Sequence, residues 1–331
     1  MVDESLRRRT DGALPRTEGT RTSSWRDMKV YGDHVFIVAD GAPGHGMQVF
    51  DLTTLRGLSA DAARVFEPEV TYTGTSEHPL GNAHNIFVNE DTGFAYAVGA
   101  GDGGETCGGG LHMIDLSTPA APAFAGCFAD PTTGRAGTGY THDAQCVTYD
   151  GPDARFLGRR ICFGANETAL SIADVTDPLA PVALATATYP AVAYLHQGWL
   201  SADGRYLFMD DELDEFGGEP RTRTLVFDVA ELDDPVLVAE HAGVQTSTDH
   251  NQYVVGDRLF QANYRSGLRV LDISDPETPA EIGFFDTTPQ LDGPGFDGAW
   301  SVYPFLPSGT ILVSSIDEGL FVLRPATGSG L

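Results

Sequence analysis

The sequence predicts an all-β chain folded as a β-propeller of four-stranded antiparallel blades. Three observations carry that class. A polar pair, usually led by His, recurs at a period of about 45 to 60 residues, the spacing of propeller blades and similar arrays. With it recurs an apolar strand that ends in Asp-Leu, Asp-Val or Asp-Ile, and no segment sustains a helical period.

Each repeat reads as four strands. The first begins at the polar pair, as in GNAHNIFVNEDTG (81–93), YTHDAQCVTYDG (140–151), YLHQGWLSADG (194–204) and STDHNQYVVGD (247–257). The second is rich in aromatic and β-branched residues, as in RRICFGANE (159–167), RYLFMDDE (205–212) and RLFQANYR (258–265). The third is the most regular: GMQVFDLTTL (46–55), GLHMIDLSTP (110–119), ALSIADVTDP (169–178), TLVFDVAELDDP (224–235) and GLRVLDISDP (267–276). Its closing Asp and Ser or Thr can satisfy backbone donors where the strand stops, and a following Pro cannot extend the ladder. PAFAGCFA, PVALATATY, PVLVAEHAG and AEIGFFDT supply an outer fourth strand.

Six units start near Trp25, His84, His142, His196, His250 and Asp297, and the sixth shows only three strands. The propeller therefore occupies residues 20–325, with a tail at 326–331 and an N-terminal segment at 1–19 that is irregular or a closing strand. ALPRTEG (13–19) could complete the sixth blade. Equally, six visible blades could be a seven-bladed parent with one missing.

Composition narrows the partners. Forty-seven acidic residues against twenty basic ones give a net charge of -27, a field that repels phosphate backbones and anionic headgroups. Nucleic acid is thus excluded as a partner, and Lys29 is the only lysine. No apolar run reaches the ~20 residues of a membrane helix, so no membrane insertion is expected. Cys107, Cys127, Cys146 and Cys162 form no CxxC pair, and their spacing suggests two local disulfides and an oxidising compartment. The N-terminus lacks the apolar middle of a secretion signal, which conflicts with export unless the natural beginning lies further upstream.

In register, one column reads Arg26, His84, His142, His196, His250 and Asp297; the next reads Asp27, Asn85, Asp143, Gln197, Asn251 and Gly298. First strands line a propeller's channel, so these residues form a candidate ligand-binding ring at one axial mouth. His84, His142, His196 and His250 are candidate ligands for a transition metal. Their competing use is architectural: a His heading each blade can donate to the next blade's backbone. His45, in a glycine loop, could also approach the mouth, with a plain turn role as the default.

Other motifs are weaker. DDELDEFGGEP (210–220) collects Asp210, Asp211, Glu212 and Asp214 as a candidate calcium loop, although it fails the EF-hand pattern and reads better as solvated. Gly99, Gly101 and Gly104 satisfy GxGxxG with no helix following. Trp25, Trp199 and Trp300 read as packing between blades. There is no Walker loop, GxSxG or HExxH, so no catalytic residue is assigned.

SSWRDMKVYGDHVFIVAD, GHGMQVFDL, CGGGLHMIDLSTPAAPAFAGCF and YTHDAQCVTYDGPD resemble the choice-of-anchor B proteins over about residues 20 to 325. The resemblance implies LVIVD-type repeats in a secreted or surface-anchored propeller, with no established catalytic activity. Two functions follow as expectations. One is a monomeric interaction module for a protein or glycan at the cell surface; the other is a metal-binding propeller with oxidoreductase-like or other metal-dependent activity.

Overall fold

A computed structural model describes residues 12–58, 64–101 and 106–326. Residues 1–11, most of the C-terminal tail and Gly104 of the glycine motif lie outside the described residues. Two compact units, Met1–Ala129 and Asp130–Leu331, divide the chain. The architecture is the β-propeller expected, with six antiparallel blades and almost no helix among the described residues.

The first unit holds blade 1 (Arg26–Tyr31, His34–Ala39, Met47–Asp51, Val70–Tyr72) and blade 2 (Asn85–Asn89, Phe94–Val98, Leu111–Asp115, Ala123–Phe128). In the second unit are blade 3 (Asp143–Thr148, Arg160–Ala165, Leu170–Asp174, Val182–Ala187) and blade 4 (Leu195–Leu200, Tyr206–Asp211, Arg223–Asp228, Val236–Ala242). Blade 5 (Gln252–Val255, Arg258–Ala262, Leu268–Asp272, Ala280–Phe285) and blade 6 (Ala299–Tyr303, Ile311–Ser315, Gly319–Leu323) follow. Blade 6 has three strands among the described residues, as its sequence shows. Of the N-terminal segment, Gly12–Ala13 pairs in parallel with Arg64–Val65, and Thr17 donates to the His45 carbonyl. These ties hold the segment to the first unit.

The grammar of the third strand works as its chemistry requires. Asp51, Asp115, Asp174, Asp228 and Asp272 each accept, through Oδ1, the N–H two residues on, at 2.7–2.9 Å. This caps the strand end and starts the turn. A register shift between third and fourth strands then recurs in blades 2 to 5, at 124/126, 172/173, 226/227 and 270/271. Such bulges add local twist at the same place in each repeat.

Apolar side chains fill the spaces between blades. Phe163, Ile172, Leu195, Leu207 and Phe227 are among those that join blades 3 and 4, while Phe260, Val270, Val302 and Val313 join 5 and 6. Burying one such side chain stabilises the fold by about 1.5–3 kcal/mol. Polar staples cross the same seams. Asp27 accepts the N–H of Ile86, Gln145 that of Leu200, and Gln197 that of Gln252, at 2.8–3.0 Å. The expected disulfides are present, Cys107 to Cys127 and Cys146 to Cys162, the latter between paired strand positions of blade 3. Trp25 departs from the packing role expected of it, because nearly half of it is exposed.

Candidate metal centre

Within the second unit, the first strands of blades 3, 4 and 5 bring three of the four repeat histidines together. The rings of His142 and His196 are 4.2 Å apart, centre to centre, and those of His196 and His250 are 4.3 Å apart. All three are buried. Two of the Nδ1 atoms are committed to the scaffold: His142 Nδ1 lies 3.0 Å from the His196 carbonyl, and His250 Nδ1 lies 2.6 Å from the Trp300 carbonyl. A carbonyl only accepts, so each Nδ1 carries the proton and Nε2 is the lone-pair nitrogen. His196 Nδ1 stands 3.3 Å from Asp210 Oδ1.

Glu212 completes the group. Its Oε2 lies 3.9 Å from His196 Nε2 and its Oε1 lies 3.7 Å from His250 Nε2. One ligand atom from each of the three residues falls within 4.8 Å of the others. The hairpin of blade 4 explains the meeting: Leu195 is paired with Asp211, which sets Glu212 beside the start of the first strand. The Glu212 N–H donates to the Tyr194 carbonyl, and Tyr264 Oη donates to Glu212 Oε1 at 2.7 Å.

Tyr264 is held at a cost. Its φ of 39° lies in the left-handed region, where a bulky residue is strained. Backbone bonds between Tyr264 and Ala299 in both directions hold it there. Gly298 permits that contact, since at φ 90° a Cβ would sit 2.4 Å from the Tyr264 carbonyl oxygen. Burial pushes the Tyr264 phenol upward, so it remains a hydrogen-bond donor to Glu212. Desolvation likewise pushes the Asp210 carboxyl well above the ordinary carboxylate range.

Two imidazoles and one carboxylate, with His250 anchored through its Nδ1 by the Trp300 carbonyl, form a donor set suited to a divalent transition metal. Around zinc, with bonds of about 2.0–2.1 Å, tetrahedral neighbours stand ~3.4 Å apart. The two nitrogen–oxygen spacings exceed this by about 0.3–0.5 Å.

The remaining candidates have other partners. His84 and Asn85 lie in the first unit, where His84 Nδ1 meets Asp40 Oδ2 at 2.9 Å and Asn85 pairs with Val98. Arg26 reaches His45 Nε2 at 3.2 Å, and His45 is fully buried; Asp27 binds Lys29. In the second unit, Asp143 accepts the N–H of Ala144, Gln197 bridges to blade 5, and Asn251 donates to the Trp300 carbonyl beside His250. Asp297 pairs with Arg265.

The loop 210–220 corrects its reading as solvated, because Asp210, Asp211, Asp214 and Glu215 are buried. Its four calcium candidates face different groups. Asp210 accepts the Gln197 N–H, Asp211 the Tyr189 hydroxyl and the Ala193 and Tyr194 N–H groups, and Asp214 binds Arg223, while Glu212 faces the histidines. Glu212 as a partner of the imidazoles, and Tyr264 behind it, are the residues that the repeat alignment missed. The hairpin register of blade 4 was the signal that could have found Glu212.

Comparison with known proteins agrees with the fold. The LVIVD repeat matches residues 253–287, essentially blade 5. No curated protein sequence matches the chain. Among solved structures, a protein from Lactobacillus plantarum superposes with a TM-score of 0.66 at 12% identity, covering 94% of this chain and 83% of its own. The periplasmic gluconolactonase PpgL of Pseudomonas aeruginosa gives 0.63 at 12% identity, covering 94% and 84%. The Cps50 (Swd1) β-propeller domain of Myceliophthora thermophila gives 0.53 at 10% identity, covering 91% and 83%. At such identities the likeness is one of fold.

Proposed function

We propose that this protein is an extracellular β-propeller that binds a divalent transition metal through His196, Glu212 and His250 and uses it in hydrolytic chemistry. The observation that carries the reading is the convergence of two Nε2 atoms on one carboxylate, with His250 held through Nδ1 by the Trp300 carbonyl and His196 Nδ1 standing 3.3 Å from Asp210. A bound ion of this type supplies a Lewis acid and lowers the pKa of a coordinated water. The protein's own part is to fix the donor atoms, and Tyr264 and the Trp300 carbonyl do so from behind. Two disulfides support an oxidising compartment, and no helix among the described residues is long and apolar enough to cross a membrane. The fold it shares with a gluconolactonase makes cyclic esters the first substrate class to try.

Elemental analysis before and after dialysis against zinc, manganese and ferrous ions tests the reading. About one equivalent of metal is expected in the wild type and none in a His196→Ala, His250→Ala variant. A wild type that melts normally yet takes up none of these ions would sink the proposal.

A second reading, a binding module without chemistry, draws on Phe216 and Phe296. These side chains stack at 5.1 Å, each about half exposed, with Tyr264 packed edge-on against Phe296. Such a pair offers an aromatic face on which a sugar ring or a peptide side chain can stack. Glycan-array binding that survives loss of the metal ligands and is lost in Phe216→Ala, Phe296→Ala would favour it.

A further inference from the structure

A second group of acids lies beyond Glu212 and is not used by the metal centre. Asp214 and Glu215 belong to the single helical turn Asp214–Gly217, and Asp249 immediately precedes the His250 that leads into blade 5. All three are more than nine-tenths buried, and one carboxylate oxygen from each lies within 4.8 Å of the others. Clustering of acids alone would mean little. What points to a ligand is the set of buried oxygens that meet no donor at good hydrogen-bond geometry, Asp214 Oδ1, Asp249 Oδ1 and both oxygens of Glu215, with the Asp214 and Glu215 carboxyls close enough to share a proton or a cation.

The charge around them is unbalanced. Arg223 is the cation at hand: its Nε binds Asp214 Oδ2 at 2.8 Å, and its backbone N–H donates to Asp249 Oδ2 at 2.9 Å. The same guanidinium also lies 3.3 Å from Glu240 and 3.9 Å from Asp211. One positive charge therefore serves several carboxylates, and Glu215 has no ion pair with it. A buried, unpaired carboxylate costs several kcal/mol unless it is neutralised. Either protons or a cation must supply that neutralisation.

We propose that Asp214, Glu215 and Asp249 form a buried calcium-binding site that fastens the helical turn after blade 4 to the start of blade 5. Oxygen-only donors select a hard cation, and calcium–oxygen bonds of about 2.3–2.6 Å place opposite oxygens up to about 5 Å apart, so three oxygens within 4.8 Å of one another fit around one ion. The site is distinct from the His196–Glu212–His250 centre in donor chemistry, and it does not depend on that centre being occupied. Its consequence is positional, because the turn it fastens begins two residues after Glu212.

Calcium titration of the full chain, stripped by chelation, tests the proposal by calorimetry and thermal melting. Calcium at saturating concentration should bind with a stoichiometry of about one and raise the melting midpoint by about 5–10 °C. The same shift should persist in His196→Ala, His250→Ala and vanish in Glu215→Gln, Asp249→Asn. No binding by the stripped wild type, or a shift that survives in the Glu215→Gln, Asp249→Asn protein, overturns the site and leaves protons as the neutralising species. Should that double variant fail to fold, Glu215→Gln alone decides: a tenfold or larger loss of calcium affinity supports the site, and unchanged affinity overturns it.

Discussion

In the first unit, His84 meets Asp40, His45 meets Arg26, and His112 sits between the hydroxyls of Tyr72 at 2.9 Å and Thr106 at 3.2 Å. In the second unit, His250 holds the Trp300 carbonyl with Nδ1, and both His196 and His250 turn Nε2 toward the carboxylate of Glu212. One residue type is therefore used in two ways, and His84 shares its place in the repeat with His196 and His250. A histidine engaged at both nitrogens by neutral hydroxyls, like His112, is a structural bridge. Where Nε2 faces a carboxylate that a second imidazole also faces, the same side chain becomes a candidate ligand. Architecture and binding are thus not alternatives for such a residue, because they use different ring atoms.

The comparison breaks most visibly at the proposed ligands. Replacing His196 or His250 with Ala should lower affinity for zinc-type ions by about a thousandfold, equivalent to ~4 kcal/mol. Metal-dependent quenching or calorimetry checks this, and affinity within a few fold of wild type would return both residues to the structural class.

His112→Ala should instead cost stability, about 3 kcal/mol, by leaving the buried Tyr72 hydroxyl without its partner and opening a cavity beside Phe124. Metal uptake should not change. The pH dependence sharpens this. Burial, with His78 nearby, pushes the His112 pKa down to about 4 from 6.5. Over that interval the unfolded chain binds the proton and the folded chain does not, so stability rises with pH. Between pH 4 and 6.5 this amounts to about 3 kcal/mol at most, all present above pH 6.5. Denaturant unfolding at several pH values measures it, and His112→Ala should flatten the slope.

Tyr264→Phe comes next in size. It removes the hydrogen bond to Glu212 and leaves the ring packing, so metal affinity should fall about 10–100-fold while the fold persists. An equal loss of affinity in a variant such as Phe296→Leu would show that packing, not the hydroxyl, was responsible.

These residues also show how far the sequence carries the fold and the site. The blades were legible because each strand end repeats its own chemistry, as in Asp51, Asp115, Asp174, Asp228 and Asp272, and local capping needs no tertiary information. The histidine column was legible for the same reason. Glu212 was not, because it belongs to no repeat column and its placement depends on the pairing of Leu195 with Asp211 in one blade. Composition misled over Asp210, Asp214 and Glu215: in so acidic a chain an acidic loop suggests a solvated surface, yet tertiary packing buries this one.

His84→Ala is the smallest and most discriminating change, since His84 shares the alignment column of His142, His196 and His250. Its Nδ1 bond to Asp40 Oδ2 is partly exposed, and after the substitution Oδ1 would keep the Gly41 N–H and the Asn82 amide while the part-exposed Oδ2 turns to water. A part-exposed pair whose freed acceptor can take a water contributes only about 1 kcal/mol. The midpoint should therefore fall by a few degrees at most, and zinc affinity should stay as in the wild type. If His84→Ala lowered metal affinity as far as His196→Ala does, a column of four ligands would replace the group of two histidines and one glutamate. If neither substitution moved it, the column would be architecture throughout.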